Sequence, residues 1–160
     1  MKYNDEIYKD SLNALIGDIY YAKDVSCDAK IARIRKLAEI IIRRLIVQDS
    51  NSALELGNNK TKRDLKKRGI AEKFFWNAFE IIHRSGNKAT HSQNYVIPTE
   101  EDFNKVANAT MDLYAYLFFN FFKMYKFGSN VQIVRAFSAL PPLFRFIVLR
   151  ELIYNNENNI

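Results

Sequence analysis

Apolar side chains recur along this chain at intervals of three and four, the spacing that builds one buried face on a helix. Residues 3–23 carry such a stripe at Ile7, Leu12, Leu15, Ile19 and Ala22, with Gly17 as its weak point. The segment DVSCD interrupts the pattern and offers Ser26 or Asp28 as an N-cap for a second helix over about 29–48. Its stripe is Ile31, Ile34, Leu37, Ala38, Ile41 and Leu45, with Arg33, Lys36, Arg43 and Arg44 largely off it. Polar residues over 49–60 predict a connection. A third helix is predicted over 70–84, apolar on a broad face through Phe74, Phe75, Ala78, Phe79, Ile81 and Ile82, with Trp76 adding a large ring. Residues 85–98 hold glycine, asparagines and Pro98 and read as loop. Thr99, followed by Glu100, Glu101 and Asp102, opens a fourth helix over 100–127 that Gly128 ends. In the tail, SNVQIVRAFSAL predicts a short helix stopped by Pro141 and Pro142, and Pro142 opens a last helix ending near Tyr154.

Composition agrees with helices joined by few tight turns. Only 5 glycines and 3 prolines occur in 160 residues, while 48% of residues are hydrophobic, which suits one folded domain. The fold class expected is all-α: a four- to five-helix bundle with an up-and-down core and a C-terminal helical extension. A single cysteine excludes an intramolecular disulfide and any zinc site built on several thiolates. With two histidines besides, no metal and no cofactor are expected. The N-terminus MKYNDEIYKD is charged throughout, unlike a signal peptide, and uncharged runs reach only about ten residues against the ~18–20 a membrane span needs. A cytoplasmic protein with no membrane partner is the expectation.

The formal charge is +6 and the pI about 9.4, which admits a polyanionic partner. The positive charge is densest in KTKRDLKKRG. There Lys60, Lys62, Arg63, Lys66, Lys67 and Arg68 stand against Asp64 alone. That run reads either as a solvated helix leading into Gly69 or as a set of contacts to backbone phosphates. Lys88 adds a further candidate contact.

Chemistry is concentrated in IIHRSGNKATHSQN, residues 81–94, which contains both histidines. His83 follows two isoleucines and reads as structural. Arg84 and His91 are seven positions apart. In a continuous helix that is about two turns, the same face and about 10 Å between backbones. If Gly86 ends the helix instead, the chain can fold back and bring His91 closer. An arginine and a histidine are what RNA cleavage without metal requires. Neutral imidazole removes the ribose 2′-hydroxyl proton, and a guanidinium fork holds the charge that grows on phosphorus. Asn87 can position the imidazole or bind the phosphate. DNA lacks the 2′-hydroxyl, so such chemistry is confined to RNA. Against this stands the plainer reading, in which these residues cap a helix end and form a turn.

The order of RIRKLAEIIIRRL, a basic linker, HRSGNKATH and a long aromatic-rich helix resembles the HEPN superfamily of small helical bundles. It looks most like the branch of stand-alone and restriction-system-associated bacterial domains. Arg84, Gly86, Asn87, Ala89 and His91 carry the match, with Arg35 and Glu39 where that branch often has an arginine and a glutamate. The resemblance covers roughly residues 10–127, and LPPLFR is similar to segments that follow such domains. It implies a metal-independent endoribonuclease acting as a homodimer whose two motifs face one cleft, of the kind found in toxin–antitoxin and phage-defence systems. Arg84 would steady the phosphate, His91 would be the base and Asn87 the accompanying polar residue. This chain departs from the pattern in two ways. Six residues separate Arg84 from His91, the long limit of the family's spacing, and Asn87 is not adjacent to the arginine.

Residues 1–127 are therefore expected to form the bundle. Residues 128–160 would form a helical extension that crosses the bundle, serves as a dimer arm or begins a further domain. The alternative function is a non-catalytic regulatory module that binds nucleic acid or a partner protein such as an antitoxin or a restriction or defence subunit. Pairing of two copies is expected also because the aromatic surface of the third and fourth predicted helices exceeds what one short bundle needs.

Overall fold

The computed structural model describes residues 17, 21, 24–46, 54–90 and 97–155, with only the backbone described for 87–90. The first predicted helix, over 3–23, lies almost entirely outside them. Among the described residues the chain is all-α, with six helices and no strand. They are α1 (Cys27–Ile46), α2 (Asn59–Lys67), α3 (Lys73–Thr90), α4 (Glu100–Met124), α5 (Val131–Ser138) and α6 (Pro142–Tyr154).

The chain divides into two compact units, residues 1–110 and 111–160. In the first, α1 packs mainly against α3 and over a smaller area against α2. The stripe read from the sequence is the face that does so: Ile31, Ile34, Leu37, Ala38, Ile41 and Leu45 are all buried, joined by Ile42 and Ile46. Opposite them lie Phe75, Ala78, Phe79 and Ile82 of α3. Lys30 places its ammonium 5.2 Å from the Phe103 ring, which ties α1 to the start of α4. The α2 helix contributes Thr61 and Leu65 to the core. Asn58 caps it by accepting from the Lys60 N–H at 2.8 Å, and Gly69, at φ +79°, turns the chain after it.

The start of α4 is the box its sequence announces. The Thr99 hydroxyl accepts from the Asp102 N–H at 3.2 Å, and the Asp102 carboxylate accepts the Thr99 N–H at 2.9 Å. Its end comes earlier than the periodicity predicts: helix stops at Met124, so Tyr125 and Phe127 are past it, and Gly128 at φ +91° makes the turn.

In the second unit an aromatic cluster forms the core. Phe137 of α5 meets Phe118, Phe122 and Phe127 at ring separations of 6.0, 5.3 and 5.9 Å. Asn130 caps α5 through its side-chain oxygen, and Pro142 sits in the first turn of α6, the latter as the tail sequence predicts. The rings of α3 and α4 thus have partners within one chain. Phe75, Phe79, Tyr116, Phe119 and Phe122 are all fully buried.

Candidate nucleic-acid interface

The first departure from the sequence reading lies at the end of α3. The sequence predicts a loop from residue 85, but helix continues through Ser85, Gly86 and Asn87 to Thr90. Gly86 is buried, and a Cβ built there would lie 2.8 Å from Arg35 Cδ and 3.2 Å from Arg35 Nη1. The Arg35 side chain of α1 therefore crosses α3 where there is no side chain to stop it. Close packing offsets the ~1 kcal/mol that a mid-helix glycine costs. Arg35 Nε also lies 3.6 Å from Glu39. Burial raises the Glu39 carboxyl above its ordinary range, while the Arg35 charge and hydrogen bond oppose that rise.

Because the helix is unbroken, the alternative in which Gly86 reverses the chain falls away. Arg84 stands on the outer face of α3, its side chain 79% exposed, with Nε 3.7 Å from Glu80 Oε2. Asn87 and Lys88 follow on the same helix, with only their backbones described. His91 lies outside the described residues. His83 is packed, as its apolar neighbours suggest. Its ring lies 6.3 Å from that of Phe79, its side chain is 17% exposed, and Nε2 points at Gly57 in the turn before α2.

The six basic residues of 60–68 do not act alike. Lys60 pairs along its own helix with Asp64 at 3.1 Å. Lys62 reaches α3, where its ammonium donates to Glu80 Oε1 at 2.7 Å and lies 5.7 Å from the Phe79 ring. Lys66 sits 5.8 Å over the Trp76 ring while staying exposed. Arg68 donates to the carbonyl of Ile46 at 3.3 Å, at the negative end of the α1 dipole. Arg63 and Lys67 are exposed. Helix α2 is thus tied to α3 by the ammonium groups of Lys62 and Lys66, while Arg63 and Lys67 face water.

Asn59, Lys62, Arg63 and Lys66 line an open groove of about 460 Å³ along this helix. Their spacing of three and four residues puts them on one face. Two carboxylates temper the positive field. The hydrogen bond from Lys60 holds Asp64 below its ordinary range. Glu80 is held down chiefly by its hydrogen bond from Lys62, then by the charges of Lys62, His83 and Arg84. Both are anions at neutral pH, yet six cations over residues 60–68 leave a positive surplus of four.

Sequence reasoning missed Asn59, Glu80 and Trp76 as parts of this surface. Glu80 is 18 positions from Lys62, so no helical period connects them. Their meeting depends on how α2 lies on α3. Among the described residues no group of three His, Cys, Asp or Glu side chains is placed to hold a metal, and no helix is long and apolar enough to cross a membrane. Comparisons with protein-family models, with curated proteins and with solved structures returned no match.

Proposed function

We propose that this chain binds nucleic acid through the cationic face of α2 and the adjoining surface of α3. The observation that carries this reading is the groove lined by Asn59, Lys62, Arg63 and Lys66. It offers cations at helical spacing beside a half-buried indole, a combination suited to a sugar–phosphate backbone and a stacked base. Arg63 faces water, and Lys66 stays exposed although its ammonium lies over the Trp76 ring; these two are the principal phosphate contacts. Lys62 is shared with Glu80 and contributes less. Fluorescence anisotropy with a labelled single-stranded RNA over a salt series tests it. The double substitution Arg63→Ala, Lys66→Ala is expected to weaken binding and to reduce the salt slope by about 0.7 for each phosphate no longer neutralised. Absence of binding, or the same slope in wild type and variant, would overturn the proposal.

A second reading adds catalysis. In it the chain is a HEPN-like, metal-independent endoribonuclease of a toxin or phage-defence system, with Arg84 steadying the phosphate and His91 acting as base. The observation favouring it is the continuity of α3 to Thr90, which leaves Arg84 exposed and separated from residue 91 by unbroken helix. Incubation of single-stranded RNA or tRNA with the protein in EDTA is expected to yield cyclic phosphate ends. His91→Ala is expected to abolish them while the protein stays folded. Undiminished cleavage by that variant rejects His91 as the base.

A further inference from the structure

Helix α6 is apolar on two sides. Ile147, Val148 and Leu152 are buried. On the opposite side Leu143, Phe146, Ile153 and Tyr154 are exposed by 53, 58, 71 and 83%. At about 100° per residue these four and Arg150 fall within an arc of about 100°, a continuous stripe and not scattered exposure. A helix with two apolar faces is normally covered on both.

We propose that this outer face of α6 is covered by the same face of a second copy of the chain, with the two helices antiparallel about an axis near Val148. The stripe is self-complementary in that register. Leu143 meets the partner's Ile153, and Phe146 meets the partner's Arg150, each contact occurring twice as two-fold symmetry requires. The pairing of guanidinium with ring already exists within one chain, where Arg150 lies 5.6 Å from the Phe146 centroid. Nor does Arg150 bring an uncompensated charge to the seam, because Glu151 accepts from its Nε at 2.9 Å and from its Nη2 at 2.7 Å. Area agrees. With roughly 200 Å² for each large side chain, the four exposed residues offer about 500 Å² per copy. A fully covered stripe therefore hides about 1,000 Å² per pair before Arg150 and Leu149 are counted, the lower threshold for a specific interface. This surface lies outside residues 10–127, and the inference rests on neither functional reading above.

The test is the solution mass of the full chain, measured by sedimentation equilibrium from about 1 to 100 μM, for wild type, Phe146→Lys and Phe146→Glu. Wild type is expected to dimerise. Phe146→Lys sets an ammonium against the partner's Arg150 and is expected to be monomeric. Phe146→Glu sets a carboxylate against the same arginine and is expected to keep at least tenfold more dimer than the lysine variant. Ile153→Lys, at a position more exposed still, is expected to be monomeric with an unchanged circular dichroism spectrum, and it decides the matter if a variant at 146 fails to fold. A monomeric wild type overturns the proposal, as does a dimer unaffected by Ile153→Lys. Equal dissociation by the lysine and glutamate variants at 146 overturns the antiparallel register.

Discussion

Gly57 and His83 provide a sharp test of the packing between the turn before α2 and α3. A Cβ added at Gly57 would lie 2.5 Å from His83 Nε2 and 3.4 Å from Cδ2 and Cε1. Ordinary carbon–nitrogen contact is about 1 Å longer than the first of these, so the ring must move. Its freedom to do so is small, since Phe79 lies beside it and Nδ1 is 3.8 Å from the Glu80 carboxylate. Inserting a methyl group into such a site costs about 1–3 kcal/mol. One term opposes this. Gly57 is not among the glycines with positive φ, so alanine is acceptable to the backbone and stiffens the unfolded chain, a gain of about 0.4–1 kcal/mol. Gly57→Ala should therefore destabilise by about 1–2 kcal/mol, or roughly 2–8 °C in Tm for a chain of this length. The decisive measurement is a double-mutant cycle. With His83→Ala already in place the clash is gone, and Gly57→Ala should become neutral or slightly stabilising, a coupling of about 1–3 kcal/mol. Urea unfolding followed by Trp76, the single tryptophan, reads this unit directly because Trp76 is on α3. An equal cost for Gly57→Ala in both backgrounds would refute the reasoning.

Other residues of the two units give tests of different kinds. Leu65→Ala removes the fully buried anchor of α2 and should cost about 2–5 kcal/mol in urea unfolding, weakening RNA binding in parallel as the basic helix loosens. Glu80→Gln removes an anion from beside the groove, so affinity for single-stranded RNA should rise in the anisotropy assay. Wild-type stabilisation from ionised Glu80 should be full above its ordinary pKa of 4.5 and lost as pH falls through its lowered folded value, a step the variant lacks. Asp112 has the opposite sign. Burial raises its pKa above 3.8, Arg150 opposes and Glu151 adds to the rise, so its ionisation disfavours the fold and stability falls as pH climbs through the folded value. Asp112→Asn should flatten that decline and leave Tm at pH 7 unchanged or higher. Gly86→Ala should be nearly neutral at pH 4 and more destabilising at pH 8. Helix propensity gains about 1 kcal/mol, but Arg35 is displaced and the half-buried Glu39 then ionises with less help. A cost independent of pH would show that Arg35 stays with Glu39.

Much of the helical layout is legible in the sequence because its causes are local. The period of three and four on α1 follows from one face being buried, and all six residues of its predicted stripe are in the core. The cap at Thr99, the cap at Asn130, the proline at the head of α6 and the glycines after α2 and α4 need only the backbone chemistry of helix ends. What is not legible depends on which helix lies against which. Serine, glycine, asparagine and threonine are poor helix formers, so residues 85–90 read as loop. In the fold α1 brings Arg35 against Gly86, and nothing within the segment itself signals that neighbour.

The same distinction bears on the candidate sites. A run of six cations is visible at once in the sequence, but its division of labour is not. Lys62 and Lys66 lie along Glu80, Phe79 and Trp76, Arg68 serves the end of α1, and Arg63 and Lys67 are left facing water. A charge count overstates such a surface, because part of the charge holds the helix in place. The segment RSGNKATH divides similarly. Its glycine has a complete explanation in packing, since any larger residue meets Arg35. The presence of Gly86 therefore adds nothing to the case for catalysis. What remains of the motif is Arg84, whose exposed guanidinium takes no part in the core, together with His91. An exposed arginine tied to the fold only by an i,i+4 contact of 3.7 Å contributes little to stability. Loss of RNA cleavage in Arg84→Ala with an unchanged melting curve would thus report on function and not on folding.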